Sequence, residues 1–366
     1  MDDYLIDDEH LSLSRKSVLP GTGFFTPDSF EDELEDQEVA EAVDGASTVV
    51  IADPDADGLA CVALIRAAYG EAALVGASPY DLEDAMERVA AYAEPGASVF
   101  ICDLCPDKFK YVDEELHLLV DHADVTWYDH HQWNDEVTEA VRETGVELVI
   151  GNSEEECTAD VALRSIDFEF PDYLVDLAAV TRDHDLWLRE DPRSDDLADL
   201  AYWSEPEEYA ELIQEHGADL PEEAAEFLAE MRVEKEALIE QAISRANFHE
   251  IGEWTVGVTY GRCSQNEVAE ALREQGSDAA VIVKPAGSAS IRGTETFKRC
   301  HEVAEQVNGG GHPKAAGCKP DIYNDMLDYA HHWTTQGAVT KQAILSAFER
   351  LAVEESAEDD ADGDIE

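Results

Sequence analysis

Three carboxylates, those of Asp53, Asp55 and Asp57, follow the apolar run VVIA and precede Gly58, where a predicted strand turns into a predicted helix. Negative charges crowded at one turn repel one another unless a cation lies among them. Carboxylate oxygens suit Mg²⁺ and Mn²⁺, and an added imidazole nitrogen shifts the preference towards Mn²⁺ or another transition metal. The spacing therefore predicts a divalent metal site at this turn.

Further groups able to bind a metal ion follow other apolar runs. They are Asp103 after SVFIC, Asp129, His130 and His131 after VTWY, and Asp183 at the end of a helix-like run, with His184 and Asp185 beside it. A single strand-end Asp is commonly a turn or helix cap, and a pair of histidines is commonly a surface or core feature. The combination of all these groups in one chain favours a metal site with several ligands.

Two other metal chemistries fit the sequence less well. The spacing of the first three carboxylates also resembles the start of an EF-hand calcium loop, but LACV at 59–62 replaces the oxygen ligands that such a loop needs. Cys102 and Cys105 form a CxxC pair, yet no second pair follows at zinc-site spacing, so structural cysteines are favoured.

The elements that must position these residues are short apolar runs that alternate with helical periods between residues 47 and 152. Such alternation predicts an α/β fold with a mostly parallel sheet, whose functional residues lie just beyond the carboxyl ends of the strands. The runs WTVGVTYG, AAVIVKP and SASIRG predict a second, smaller α/β domain. The predicted organisation is an acidic N-terminal arm at 1–45, a first domain at 46–190, a helical linker at 191–250, a smaller domain at 251–335, and a C-terminal helix with an acidic tail at 336–366.

The acidic and histidine motifs, taken in this order, resemble those of the DHH phosphoesterase superfamily, whose name matches Asp129-His130-His131. In the second domain, SASIRG at 288–293 and GGGH at 309–312 resemble the two signatures of the DHH-associated domain of RecJ-like nucleases and nanoRNases. The resemblance covers residues 47–320. It implies a DHH catalytic domain at 46–190 and a substrate-binding domain at 251–335, with the active site in the cleft between them.

The resemblance also implies two divalent metal ions, commonly Mn²⁺, with Mg²⁺ and Co²⁺ as alternatives. One ion would be bound by Asp53, Asp55 and the bridging Asp103, and the other by Asp57, Asp103, His130 and Asp183. Some members have histidine where Asp53 stands, so the first site here would consist of oxygen ligands alone.

The remaining roles implied by the resemblance concern the substrate. His131 would contact the phosphate, and Asp129 and Asp185 would orient the metal ligands. Arg292 and His312 would bind the substrate and, with His131, neutralise charge in the transition state. Gly309, Gly310 and Gly311 would let backbone amides approach a phosphate closely.

The chain has 366 residues, with 85 acidic and 24 basic side chains and a net charge of -61. Self-repulsion of this size predicts a halophilic source, because molar salt shortens the screening length to about 3 Å. A calcium buffer or an acidic chaperone is the alternative interpretation. Residues 256–320 carry eight basic and seven acidic residues, which favours an anionic ligand there, or else a more buried segment.

The cysteines and the N-terminal sequence indicate the cellular compartment of the protein. Seven scattered cysteines, an odd number, do not describe a disulfide framework and predict a reducing compartment. The start MDDYLIDDEH lacks the basic and apolar regions of a signal peptide, and no apolar run approaches the roughly 20 residues that span a bilayer. We therefore expect a cytoplasmic protein that does not bind membranes.

The predicted function is a Mn²⁺-dependent phosphodiesterase that hydrolyses single-stranded or short oligonucleotides, with replication or repair proteins and a second copy of the chain as candidate partners. One alternative keeps the metals but acts on a cyclic dinucleotide, a nucleoside bisphosphate or pyrophosphate. Another is a noncatalytic RecJ-like replication subunit. Such a subunit should lack at least one ligand, whereas every ligand position of the motifs is filled here.

Overall fold

The computed structural model describes residues 28–79, 81–106, 108–323 and 326–363. The chain divides into two compact units, one comprising Ser29–Ala229 and the other containing Glu230–Glu366. The predicted N-terminal arm lies outside the described residues as far as residue 27, and the predicted linker region is divided between the two units. Among the described helices, none is both long and apolar enough to cross a lipid bilayer.

The first unit contains strands and helices in alternation, as predicted. Its strands are β1 (Thr48–Ala52), β2 (Ala73–Gly76), β3 (Ser98–Cys102), β4 (Asp124–Asp129) and β5 (Glu147–Ile150). Its helices are α1 (Asp28–Val43), α2 (Ala56–Tyr69), α3 (Leu82–Tyr92), α4 (Asp113–His122), α5 (Asp135–Glu143), α6 (Thr158–Ser165), α7 (Asp172–Asp185), α8 (Arg193–Trp203) and α9 (Pro206–His216), and α10 (Glu222–Ser244) continues into the second unit.

The five strands of the first unit form a parallel sheet in the order β2-β1-β3-β4-β5. Side chains alternate between its two faces, so Val50 and Phe100 pack in one apolar layer with α2, α6 and α7. Ile51 and Val99 pack in the other layer with α3 and α4. Because both faces are covered, β1 and β3 at the centre of the sheet are almost continuous apolar runs, which is the pattern seen in the sequence.

The register of this sheet aligns three strand ends. Ala52 of β1 pairs with Cys102 of β3, which pairs with Tyr128 of β4. The residues that follow, among them Asp53 and Asp103, therefore emerge at the same edge of the sheet as the end of β4.

The second unit is built on a six-stranded sheet in the order β10-β11-β9-β8-β7-β6. Only the pair β7 and β8 is parallel. The strands are β6 (Asn247–Ile251), β7 (Trp254–Tyr260), β8 (Ala279–Val283), β9 (Ala289–Gly293), β10 (Gly309–Gly311) and β11 (Ala315–Cys318), and the helices are α11 (Gln265–Glu274), α12 (Cys300–Glu305), α13 (Met326–Thr334) and α14 (Ala338–Gly363). The mixed α/β fold, with a parallel sheet in one unit and a second sheet in the other, confirms the predicted fold class.

Candidate metal centre and phosphate site

A buried group of oxygen and nitrogen atoms lies at the carboxyl end of the first sheet. The Nε2 atom of His130 is 3.3 Å from Asp185 Oδ2, 3.7 Å from Asp103 Oδ1 and 4.0 Å from Asp57 Oδ2. The Nδ1 atom of His131 is 3.7 Å from the same Asp103 oxygen. Two overlapping groups result, Asp57 with His130 and Asp185, and Asp103 with His130 and His131, each with ligand atoms within 4.8 Å of one another.

The N-terminus of α6 holds two of these carboxylates in place. Asp57 accepts hydrogen bonds from the backbone N–H of Thr158 (2.6 Å) and of Ala159 (2.8 Å), one to each oxygen. The Thr158 hydroxyl donates to Asp103 Oδ1 over 2.8 Å. Backbone N–H groups at a helix start carry partial positive charge, so they stabilise the Asp57 carboxylate, which is only 2% exposed, while the Thr158 hydroxyl satisfies Asp103, which is 4% exposed.

Asp103 has an unusual backbone conformation. Its φ of 61° lies in the left-handed region, which Asp adopts more readily than most residues. Its N–H still donates to Tyr128 O over 3.1 Å, so the chain leaves β3 abruptly while remaining attached to β4. Such backbone strain is common where a side chain must be aimed for function.

Asp129 orients both histidines of the motif. Its Oδ1 accepts from the backbone N–H of His130 (2.7 Å) and of His131 (3.1 Å) and from His131 Nδ1 (2.7 Å), while Oδ2 accepts from Trp133 Nε1 (2.8 Å). Burial acts to raise the pKa of Asp129, but the hydrogen bond and charge of His131 hold it below its usual value. Burial acts to lower the pKa of His131, but Asp129 raises it to about 9, so His131 is a cation at neutral pH.

The pKa values of Asp103 and Asp185 are shifted in the opposite direction. Burial, followed by repulsion from Asp57 and Asp55, raises the pKa of Asp103 well above its usual value and that of Asp185 to about 8. Within the described part of the chain, Asp185 Oδ2 and His130 Nδ1 are buried without a hydrogen-bond partner. Orphaned oxygen and repelling carboxylates beside an imidazole nitrogen fit a divalent cation such as Mn²⁺ or Mg²⁺.

Asp183, the ligand expected in this region, does not join the cluster. Its Oδ1 accepts from the N–H of Glu190 (2.9 Å), and its Oδ2 accepts from the N–H of Asp191 (3.2 Å) and from Ser194 Oγ (2.7 Å). Although burial acts to raise its pKa, these bonds hold it below the usual value. The structure instead brings Asp185 beside His130. From the sequence, Asp185 is expected only to orient the metal ligands.

Asp53 and Asp55 lie at the start of the same turn but outside the two close groups. Asp55 is the N-cap of α2, since its Oδ1 accepts from the N–H of Asp57 (2.9 Å) and of Gly58 (3.1 Å). A Cβ at Gly58 would lie 2.2 Å from Asp53 O, so only glycine fits here. The glycine therefore allows the helix to begin directly against the strand end.

In the second unit, the strand register brings two predicted substrate-binding residues to one corner of the sheet. Arg292 of β9 pairs with Ala315 of β11, and Ala315 closes a turn with His312 through two backbone hydrogen bonds. The Arg292 guanidinium donates to Asn266 Oδ1 over 3.0 Å and forms no ion pair among the described residues. Burial and the nearby charge of Arg273 lower the pKa of Arg292. A cation without a carboxylate partner is suited to an anionic ligand.

The glycines before His312 have different roles. Gly309 and Gly311 lie in β10, where a Cβ would come within 2.1 Å of Gly317 O and 2.7 Å of Ala315 O, respectively. Gly310 has open space in the direction of a Cβ. Two of the three glycines are therefore required by contact with β11, and Gly310 alone leaves its backbone open to approach.

Other basic residues of the near-neutral segment are already paired. Lys298 and Lys314 both contact Glu295, and Arg299 pairs with Glu302 at 2.7 Å. The predicted attraction for anions in this segment therefore concerns Arg292 more than these three residues.

The architecture is similar to that of several solved structures. No family model matches the sequence, and a search of curated proteins found no match either. The exonuclease RecJ bound to manganese matches with a TM-score of 0.55 and 16% identity, over 88% of this chain and 94% of that one. The pGpG-specific phosphodiesterase PggH of Vibrio cholerae matches with a TM-score of 0.50 and 13% identity, over 81% and 98%.

The chain therefore shares its fold with these two proteins, in agreement with the resemblance of its motifs. Within that fold it is similar to RecJ. The RecJ of Thermus thermophilus in complex with Mn²⁺ also has a TM-score of 0.55 at 16% identity, and this chain spans 55% of its length.

Proposed function

We propose that this chain is a metal-dependent phosphodiesterase that hydrolyses short single-stranded oligonucleotides. The observation that carries the proposal is the buried cluster of Asp57, Asp103, His130 and Asp185, whose charges and unpaired atoms call for a divalent cation. The similarity in fold to an exonuclease and to a phosphodiesterase for pGpG supports a nucleic-acid phosphodiester as the bond that is cleaved.

Two divalent ions, Mn²⁺ in the first instance, are proposed for the cluster. Asp57, Asp103, His130 and Asp185 would hold one, and Asp53, Asp55 and Asp103 the other. When bound, such ions lower the pKa of a coordinated water and neutralise charge on the phosphoryl oxygens. Asp183 is assigned to holding the chain at 190–194 rather than to an ion, because it lies outside the two groups of close ligand atoms and its oxygens accept hydrogen bonds from that segment.

The side chains around the ions have separate tasks. Asp129 fixes the His131 ring and keeps it cationic, so His131 can stabilise negative charge on the phosphate. The N–H groups of Thr158 and Ala159 keep Asp57 in one orientation. In the second unit, Arg292 and His312, with the open backbone at Gly310, are proposed to bind a phosphate of the substrate.

The direct test uses 5′-phosphorylated oligonucleotides of several lengths, linear and cyclic dinucleotides, and pyrophosphate, each with Mn²⁺, Mg²⁺ or Co²⁺ at high KCl. We expect cleavage of the short linear substrates and a loss of roughly a thousandfold or more in Asp103→Asn. Asp124→Asn, an exposed residue at the start of β4, is the matched control and should behave as wild type. Equal activity in Asp103→Asn and wild type would remove the mechanism, and tight binding without any turnover would favour a noncatalytic subunit.

A further inference from the structure

A small cavity opens beside the candidate metal centre within the first unit. Its volume is about 200 Å³, and it is lined by the turn after β1 together with α7 and α8. Asp57 and Asp185 form part of its wall, so it is contiguous with the metal cluster. Ala198, Ala201 and Tyr202 of α8 contribute to the lining as well.

The size and lining of the cavity restrict what it can bind. Pockets that enclose a whole small-molecule ligand start at roughly 300 Å³, so this one has room for a ring rather than for an entire nucleotide. The carboxylates of Asp57 and Asp185 would repel a second anion. The methyl groups of Ala198 and Ala201 and the 54% exposed ring of Tyr202 offer apolar and aromatic surface. A neutral, planar group fits these conditions.

The cavity also offers hydrogen-bonding groups at fixed positions. The Thr181 hydroxyl belongs to a lining residue and is buried without a hydrogen-bond partner among the described residues. A buried hydroxyl in that state is unfavourable until a partner arrives. His184, also in the lining, is held by Asp195 Oδ1 at 3.2 Å from its Nδ1 and packs edge-on against Trp187. The polar groups are therefore in place before a ligand binds.

We propose that this cavity is the subsite for the nucleobase joined to the phosphodiester at the metal centre, with Tyr202 stacking on the base and Thr181 pairing with its edge. Asp57 and Asp185 belong to both the metal cluster and the cavity wall. A base joined through its sugar to a phosphate at the cluster would therefore lie next to the cavity. Aromatic stacking accepts every base, whereas the hydroxyl of Thr181 gives a preference among them. The inference rests on the proposed phosphodiesterase function and identifies the part of the site that binds the base of the substrate.

The experiment fills the cavity and removes its contacts. Ala198→Met adds volume at a half-buried position, and Tyr202→Ala removes the aromatic surface. Ala91→Met and Tyr92→Ala, both exposed on α3, are the matched controls. The substrates are a 5′-phosphorylated dinucleotide and two analogues, each abasic at one of its two positions. We expect kcat/KM on the dinucleotide to fall about 10- to 100-fold in both cavity variants, mainly through KM, and to stay unchanged in the controls.

The abasic analogues identify the base that occupies the cavity. One analogue should be cleaved equally by wild type and by Ala198→Met, because the base that the variant excludes is already missing. If Ala198→Met impairs both analogues as strongly as the dinucleotide, the cavity is not a base subsite. The same conclusion follows if both cavity variants cleave the dinucleotide at the wild-type rate. Binding of Mn²⁺ alone, measured by calorimetry, should be equal in Ala198→Met and wild type.

Thr181→Val tests the hydrogen bond separately, since valine keeps the shape of threonine and lacks the hydroxyl. We expect it to change the relative kcat/KM for the four bases by about 10-fold while leaving the informative abasic analogue unaffected. An unchanged preference would overturn the assignment of Thr181. If wild type cleaves none of the three substrates, the proposed function fails and this inference with it. If wild type cleaves all three without any effect of the cavity variants, only the subsite is wrong.

Discussion

Replacing Asp185 by Asn should stabilise the metal-free protein while abolishing its metal-dependent activity. The Asp185 carboxylate lies in one close group with Asp57 and His130, and its Oδ2 is buried without a hydrogen bond from the described residues. Without a cation, its negative charge is repelled by Asp57 and Asp55. An uncharged amide of the same shape removes that repulsion but also removes a proposed ligand.

The size of the effect follows from the pKa. Burial and the neighbouring charges raise the pKa of Asp185 to about 8 from an ordinary value of 3.8. At about 1.4 kcal/mol per unit, this difference sets an upper limit of about 6 kcal/mol at high pH. The side chain is 24% exposed, so solvent weakens the repulsion, and we expect a gain of about 2 kcal/mol in the free energy of unfolding.

The effect has a defined pH dependence. Because the pKa of Asp185 is higher in the folded than in the unfolded state, folding takes up a proton between about pH 4 and pH 8. The contribution of this residue to wild-type stability therefore falls as the pH rises through that range. Asn does not titrate, so Asp185→Asn should match wild type near pH 4 and exceed it by the full amount above pH 8.

The assay is urea unfolding in a chelator at high KCl, at both ends of this pH range, with Asp183→Asn as the control. Asp183 accepts hydrogen bonds from Glu190, Asp191 and Ser194, so its replacement should lower the free energy of unfolding by about 1–3 kcal/mol. Two identical substitutions in one helical turn should thus have opposite signs. If Asp185→Asn is destabilising above pH 8, or if both variants shift stability in the same direction, the electrostatic reasoning is wrong.

Three further predictions concern other parts of the chain. Gly309→Ala should lower the melting temperature by several degrees because its Cβ would meet Gly317 O, whereas Gly310→Ala should leave it unchanged, and equal melting of the two would contradict the packing of β10. Asp129→Asn should lower the pKa of His131 from about 9 towards its ordinary 6.5, as measured by NMR titration. A pKa that stays near 9 would show that Asp129 is not what raises it. With a net charge of -61, the melting temperature should rise between about 0.1 M and about 2 M KCl, and a fall would argue against halophilic adaptation.

The strands with the clearest pattern in the sequence are those buried on both faces. β1, β3 and β8 are buried at nearly every position and appear in the sequence as unbroken apolar runs. β2 has only four residues, and β6 is a mostly exposed edge strand with the sequence NFHEI, so neither has a distinctive hydrophobic pattern. Their positions depend on pairing with β1 and β7, which a local pattern does not reveal.

The site shows the same limit. Strand ends predicted that Asp57, Asp103 and His130 would lie near one edge, and the structure brings them together. Nothing local distinguishes Asp183 from Asp185, since both lie in the last turn of α7. Consecutive residues of a helix differ by about 100° in direction, so side chains two positions apart point to different sides. Which of them meets His130 is decided by how α7 packs, and the contact between Asp57 and Thr158 spans 101 residues of sequence.

In a chain with 85 acidic residues, charge alone does not mark a functional carboxylate, but burial combined with hydrogen bonding does. Asp129 is fully buried and accepts four hydrogen bonds, so its hydrogen-bonding capacity is used in orienting its neighbours. Asp183 is likewise satisfied by the chain that follows it. Asp57 and Asp103 are anchored by α6 yet remain beside His130, and Asp185 keeps a buried oxygen without a hydrogen bond from the described residues. Because a buried carboxylate is costly unless its oxygens are matched, the unmatched Asp185 oxygen beside His130 marks where a cation is needed, and the hydrogen-bonded carboxylates hold that place open.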